Sequence, residues 1–355
     1  MRVRRFRDDE VTPFQRSFID AGIAIGLPEV DDLESLDGVP SVCAQPSNSP
    51  DGVRWNAAFA YLDPVRERAE LRIRAGAHVR GIVFDGGRAI GVRYSWLGEG
   101  PLEAWADQIV LACGTYGTPE LLLRSGVGPG EDLWNLGMSI VADVPGVGRN
   151  LHDHPSFELF FEPTAELEER TAMFAASGRM VPDEQAFAKV ASSDAPDGVF
   201  DLHLFPEVAM DGRHALFIAY LTPRSRGALT LRSLDPTVQP RIDHAYLSDE
   251  EGLDVRALAE GVDLARSLAA GDEMQHLVGE ELEPGSHAGD DLRAAIRERV
   301  IHYWHPVGTC AMGPETDPQA VTDADGRVRG VEGLVVADAS LMPATVVRRP
   351  TYRRW

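Results

Sequence analysis

The sequence predicts a mixed α/β fold in two parts, and three observations carry that reading. Gln108 to Pro129 runs strand, glycine turn, short helix, glycine turn. Gly333 to Pro343 adds an apolar strand that ends in Asp338-Ala339-Ser340. Open α/β sheets bind ligands at the carboxyl ends of their strands, so such an ending is a candidate site. Between these two segments, Phe200 to Phe205, Ala215 to Leu221 and Ser225 to Ser233 alternate as an antiparallel set. Residues 1–155 and 301–343 are therefore assigned to one domain and 156–300 to a second, with 344–355 as a tail of different character.

Taken in order, Thr12 to Gly22 has the marks of a helix: a threonine cap, Pro13 at the first position and Gly22 as its stop. Asn56 to Leu62 is a second candidate helix. Leu71-Arg72-Ile73-Arg74, Val79 to Phe84 and Ala89 to Tyr94 alternate as strands, and the Asp85-Gly86-Gly87 turn joins the last two in a hairpin. Gly114 and Gly117 permit a positive φ or a close backbone approach. Pro119 suits the first turn of the helix that carries Leu121 to Leu123. Asp254 to Ala270 follows the antiparallel set as an amphipathic helix, with Leu258, Val262, Leu264, Ala265 and Leu268 along it.

A chain of 355 residues can bury a sizeable core and supply two domains. Its net charge of −22 speaks against a nucleic-acid partner and against an anionic membrane surface. No apolar run approaches the roughly 20 residues of a membrane-spanning helix, and the basic opening Met1 to Glu10 lacks the apolar stretch of a secretory signal. Cys43, Cys113 and Cys310 lie far apart with no CxxC spacing, so neither zinc nor any other metal is expected. Small, buried packing is expected of Cys113 and Cys310, and a reducing cytoplasm is the expected location.

The chemistry concentrates in His302-Tyr303-Trp304-His305-Pro306-Val307-Gly308-Thr309, where two imidazoles sit beside a small-residue turn. A neutral imidazole that titrates near the working pH suits proton transfer. One histidine alone is more often a satisfied core residue than a site. This run and the Asp338 strand end, in this order, reverse that preference. His152-Asp153-His154 has the look of a metal triplet, but no further ligand cluster accompanies it, and a structural or cofactor-adjacent role fits better.

Four motifs, in order, resemble the glucose–methanol–choline (GMC) flavin oxidoreductases. They are the glycine turn with Thr118-Pro119-Glu120-Leu121-Leu122, the run Val144 to Pro155, His305-Pro306-Val307-Gly308-Thr309, and Val336-Ala337-Asp338-Ala339-Ser340 with Pro343. The resemblance covers about Val3 to Pro343. It implies an incomplete FAD-binding Rossmann-like domain and an antiparallel-sheet substrate domain that roofs the flavin. It also implies FAD as cofactor, a small-molecule alcohol as substrate and hydride transfer from its CH–OH group to the flavin. His305 is then the active-site base, opposite a second histidine or asparagine, with His302 as the local competitor. Val79 would touch the adenine end through its backbone, and Asp338 and Ala339 would hold the ribityl and pyrophosphate part. A helix beginning after Pro343 would aim its amides at the carbonyl edge of the ring.

The chain departs from the family at two places. It contains no GxGxxG, the turn that seats a pyrophosphate on a helix N-terminus. Beyond Val346, the family's turn and long apolar helix give way to a tail carrying Arg348, Arg349, Arg353 and Arg354. One permissible set of codons for Arg348 to Trp355, read in a shifted frame, spells Ala-Pro-Asn-Leu-Pro-Pro-Val, which resembles the missing turn, so a frameshift is expected there. Two expectations follow: a flavin alcohol dehydrogenase or oxidase, or a truncated, non-catalytic fragment or pseudoenzyme of the same family without flavin. A lyase on the same scaffold is a third, because fold does not fix reaction.

Overall fold

The computed structural model describes residues 2–346 except 32, 34–38, 50–51, 180, 210–211 and 288. The arginine-rich stretch from Arg348 to Trp355 lies outside the described residues. The elements that matter here are α1 (Pro13–Ala24), β1 (Ser41–Ala44), β2 (Ala77–Asp85), β3 (Arg88–Trp96), β4 (Glu99–Trp105), β5 (Ile109–Leu111) and α2 (Gly114–Arg124). They continue with β6 (Ser156–Pro163), α3 (Ala165–Ala176), β7 (Ala186–Val190), β8 (Leu202–Val208) and β9 (His214–Tyr220). Then come α4 (Leu253–Ala269), β10 (Val278–Glu283), α5 (Gly289–Arg299) and β11 (Leu334–Val336).

Six strands build one antiparallel sheet in the order β10-β6-β9-β8-β7-β1. Alternation along each strand sorts its residues onto two faces. One face carries Phe157, Leu159, Leu202, Leu204, Leu216 and Ile218, and packs under the helices with Phe18, Leu258 and Val262. Gly261 lets α4 lie close to the sheet, since a Cβ there would stand 2.5 Å from a methyl of Ile218. The other face carries Phe187, Phe205 and Phe217, with Tyr303 against them.

A second core forms around β2, β3, β5, α2 and β11, with Ile82, Leu111, Leu122, Val147, Cys310 and Val336 buried together. Here β5 and β11 pair in parallel, Val110 opposite Val335. The hairpin of β2 and β3 turns at Gly86 and Gly87, as the glycine pair predicts.

Several local expectations differ. Leu71 to Arg74 is irregular, and Ile73, on the face that alternation would turn inward, is left exposed with no core against it. Asn56 to Leu62 yields only one wide turn, Ala58–Leu62. Residues 225–233 do not extend the large sheet: Ala228–Thr230 pairs separately with Arg241–Asp243. Helix α1 runs past Gly22, because that glycine serves packing; its Cβ would meet Val42 at 3.2 Å. The Thr12 hydroxyl makes no capping bond, and its backbone N–H donates to Gln185 instead, at 2.8 Å. Since α1 packs on the six-stranded sheet and β1 is its edge strand, part of residues 1–155 belongs to the core assigned to 156–300.

On the aromatic face, Glu158 of β6 and Glu207 of β8 lie diagonally across β9, opposite Phe217 and Ala215 respectively. Burial first, then a hydrogen bond to Glu158 and repulsion from Glu158, Glu184 and Asp183, push the Glu207 carboxyl up to about 9. A carboxyl whose folded value is raised retains its proton in the fold after the unfolded chain has lost it. Its contribution therefore falls as pH rises from the ordinary carboxylate range toward 9. Glu207→Gln should raise the melting midpoint by about 2 °C at pH 8 and leave it nearly unchanged at pH 4. Equal shifts at both pH values in a thermal melt would contradict this.

Candidate active site

The site is assembled on the first turn of α2, where the parallel strands end. Gly114 takes φ +79°, a backbone conformation that glycine adopts without cost. Asp338 follows β11 and binds that turn: its Oδ2 accepts the Gly114 N–H at 3.0 Å and the Thr118 hydroxyl at 2.5 Å. Its Oδ1 accepts the Ser340 N–H at 2.8 Å, which fixes the short turn Ala339–Leu341. The Asp338 carboxylate is thus committed to protein donors on both oxygens.

Pro119 does not sit in the first turn. It lies inside α2 and removes the N–H that would have bonded the Thr115 carbonyl. That carbonyl instead accepts the hydroxyl of Thr309 at 2.6 Å, while the Thr115 hydroxyl donates to the Pro306 carbonyl at 2.7 Å. The loop carrying His305 is therefore stitched to the same helical turn that Asp338 holds.

Residues 301–307 run antiparallel to 152–156, with bridges at Ser156–Ile301 and His152–Val307. Between the bridges, 302–306 faces only 153–155, so the longer segment bows outward. Trp304 pays for the bow with φ +56°, a strained value for a bulky side chain, and stands 67% exposed. Gly308 closes the loop at φ +97°, where a Cβ would lie 2.2 Å from the Asn150 carbonyl.

Within the bow, Nδ1 of His305 lies 3.4 Å from Nδ1 of His154, with the rings edge to face. His154 is buried, and burial, followed by the charges of His305 and His152, holds its imidazole well below the usual histidine range. His152 is pushed down to about 4 by burial and by Arg226. Its Nδ1 faces the Asn150 carbonyl at 2.7 Å and its Nε2 accepts the Thr345 N–H at 3.0 Å, an arrangement that requires a neutral ring protonated on Nδ1. Tyr303 packs on His305 with ring centres 4.6 Å apart, and its hydroxyl meets Nδ1 of His203 at 3.0 Å. The aromatic face of the large sheet thus reaches the imidazole.

The amino- and carboxyl-terminal signatures described as GMC oxidoreductase match residues 1–156 and 223–352. The chain belongs to the GMC oxidoreductase family. It is similar to choline oxidase of Arthrobacter globiformis, 34% identical over 84% of this chain and 56% of that protein. It is also similar to the oxygen-dependent choline dehydrogenase of Rhizobium rhizogenes, 32% identical over 95% of this chain and 65% of that protein. Among solved structures, pyridoxine 4-oxidase from Mesorbium loti superposes with a TM-score of 0.85 at 29% identity, covering 98% of this chain and 68% of the other. The chain thus spans less than two thirds of the length of these two choline enzymes.

GMC oxidoreductases are FAD-dependent. The residues present fit one side of a flat ring system: Ala112, Cys113 and Ala337 are exposed at the carboxyl ends of β5 and β11, and the Cβ position of Gly114 is open. Cys113 is accordingly a surface residue, against expectation, whereas Cys310 is fully buried. Val79 lies on β2 opposite Tyr94, beside a register shift that loosens the ladder. His302 is exposed, its ring against Trp304, whereas the imidazole of His154 lies against that of His305. The sequence reading missed His154 and Asp153 as neighbours of His305. The Asn-Leu-x-Asp-His run was the available signal, but nothing in its spacing says that it crosses the His305 loop. Residues 344–346 are not helical, so no helix follows Pro343 directly among the described residues.

Gly308→Ala should unfold the His305 loop, since the new methyl meets a backbone carbonyl in an unfavourable φ region. The expected loss is about 3 kcal/mol or more in denaturant melts. A loss below about 1 kcal/mol would show that the loop has another low-energy path.

Proposed function

We propose that the chain is an FAD-dependent oxidoreductase that takes a hydride from the CH–OH group of a small-molecule alcohol, with His305 as the base. The observation that supports it best is the shared anchoring of the His305 loop and Asp338 on Gly114 to Thr118. When bound, the flavin supplies the hydride acceptor. His305 Nδ1 faces His154, so the hydroxyl proton is taken at Nε2. Because a charged His154 is disfavoured, a proton taken up by the pair resides on His305. Ala112, Cys113, Gly114 and Ala337 would floor the ring, Asp338 and Ala339 would flank the ribityl side, and Val79 would meet the adenine end through its backbone. The similarity to choline enzymes favours a compact alcohol as substrate.

A second reading is a non-catalytic chain of the same family without flavin. It is favoured by Val110, a strand residue left 55% exposed on the parallel pair, where a covered sheet would bury it. The cysteines, none of which forms a disulfide, suit a reducing cytoplasm. Among the described residues, no helix is long and apolar enough to cross a membrane.

The visible spectrum of the purified chain separates the two readings. Bound flavin gives bands near roughly 370 and 450 nm, and an alcohol added without air should bleach the latter. A colourless protein that takes up no FAD supports the second reading. In the flavin-loaded protein, His305→Ala should slow reduction by about 10²–10⁴-fold while leaving the bands in place. Reduction at the unaltered rate would remove His305 from the chemistry.

A further inference from the structure

We infer that Asp153 is the positioning residue of the His305 imidazole, acting through the main chain of both histidines. Asp153 is 2% exposed, on the short side of the bow. Its Oδ1 accepts two backbone N–H groups at once, from His154 at 2.7 Å and from His305 at 3.0 Å. One oxygen atom therefore fixes both backbone anchors and, through them, the spacing of the two rings. The outward bow takes 302–306 off the ladder between the bridges, so ladder bonding does not define where His305 sits.

The carboxylate is itself held. Its Oδ2 accepts the Tyr246 hydroxyl at 3.3 Å, and Tyr246 stacks on His244 with ring centres 4.9 Å apart. Nε2 of His244 meets the hydroxyl of Tyr116 at 2.9 Å, and Tyr116 belongs to α2. The His305 loop is thereby tied to α2 on a second side, separate from the Thr115 bonds. Burial pushes the Asp153 carboxyl above the usual carboxylate range, opposed by its three hydrogen bonds. An acceptor that two amides share is better served by an ionised carboxylate, whose bonds are shorter and stronger than those of a neutral oxygen. A carboxylate kept at that burial cost is explained by the two amides it joins.

The catalytic consequence rests on the reading of His305 as base; the geometric claim does not. Asp153→Asn retains one oxygen for both amides and turns its NH₂ toward the Tyr246 hydroxyl, which can accept. Asp153→Ala removes the shared acceptor. The imidazole Cε1–H resonance of His305, assigned by its loss in His305→Ala, reads ring placement without any turnover. Asp153→Asn should leave that resonance at its wild-type position, and Asp153→Ala should move and broaden it. Should Asp153→Ala fail to melt cooperatively, Tyr246→Phe carries the comparison: it releases the carboxylate on one side and should shift the same resonance in a folded protein.

In flavin-loaded protein, Asp153→Ala should lower kcat about tenfold or more with KM little changed, and Asp153→Asn should restore most of it. A His305 resonance unmoved in Asp153→Ala, or Asn behaving as Ala in both assays, would overturn the inference. If the resonance responds as expected but the wild-type chain oxidises no alcohol, Asp153 keeps its role and the proposed activity falls.

Discussion

One missing hydrogen organises this site. Proline in the middle of α2 has no N–H to offer the Thr115 carbonyl, and a buried carbonyl without a donor costs about 1–3 kcal/mol. Thr309 satisfies it from another part of the chain, across 194 positions of sequence, at 2.6 Å. Because Thr309 follows the Pro306 turn, that bond also sets where the His305 loop lands. Asp338 takes the neighbouring donors of the same helical turn, Gly114 and Thr118. Strand end, helix start and histidine loop share one set of hydrogen bonds, and no member moves without orphaning another.

Electrostatics then decide what the histidines can do. His152 and His154 are buried, and burial disfavours their charged forms. His152 is spent on holding Asn150 and Thr345 in place. His154 is the close neighbour of His305, and burial leaves it reluctant to charge. The aromatic face of the six-stranded sheet reaches the imidazole through Tyr303, whose ring packs on His305 and whose hydroxyl meets His203.

Much of this was readable in the chain because the informative residues are the constrained ones. The hairpin at Gly86-Gly87, the strand Leu334–Val336 and the helix Leu253–Ala269 follow from turn chemistry and apolar period, and the structure has all three. The four motifs pointed to the family for the same reason. What could not be read is non-local. Local pattern puts Pro119 at a helix start, where a proline is welcome, whereas a bond from Thr309 makes it tolerable further in. Gly22 looked like a stop because no local pattern reveals Val42 against it. Asp153 and His154 were visible as residues, but their meeting with His305 depends on two strand-like segments crossing with unequal lengths.

The bond between Thr115 and Thr309 exists because of Pro119. A double-mutant cycle on stability measures that dependence. With Pro119 in place, Thr309→Val should cost about 1–3 kcal/mol, since it leaves the Thr115 carbonyl buried without a donor. In a Pro119→Ala background the restored helical N–H takes that carbonyl, and the same substitution should cost clearly less. Equal costs in the two backgrounds would mean that the helix and the histidine loop are joined by something other than the donor that proline lacks.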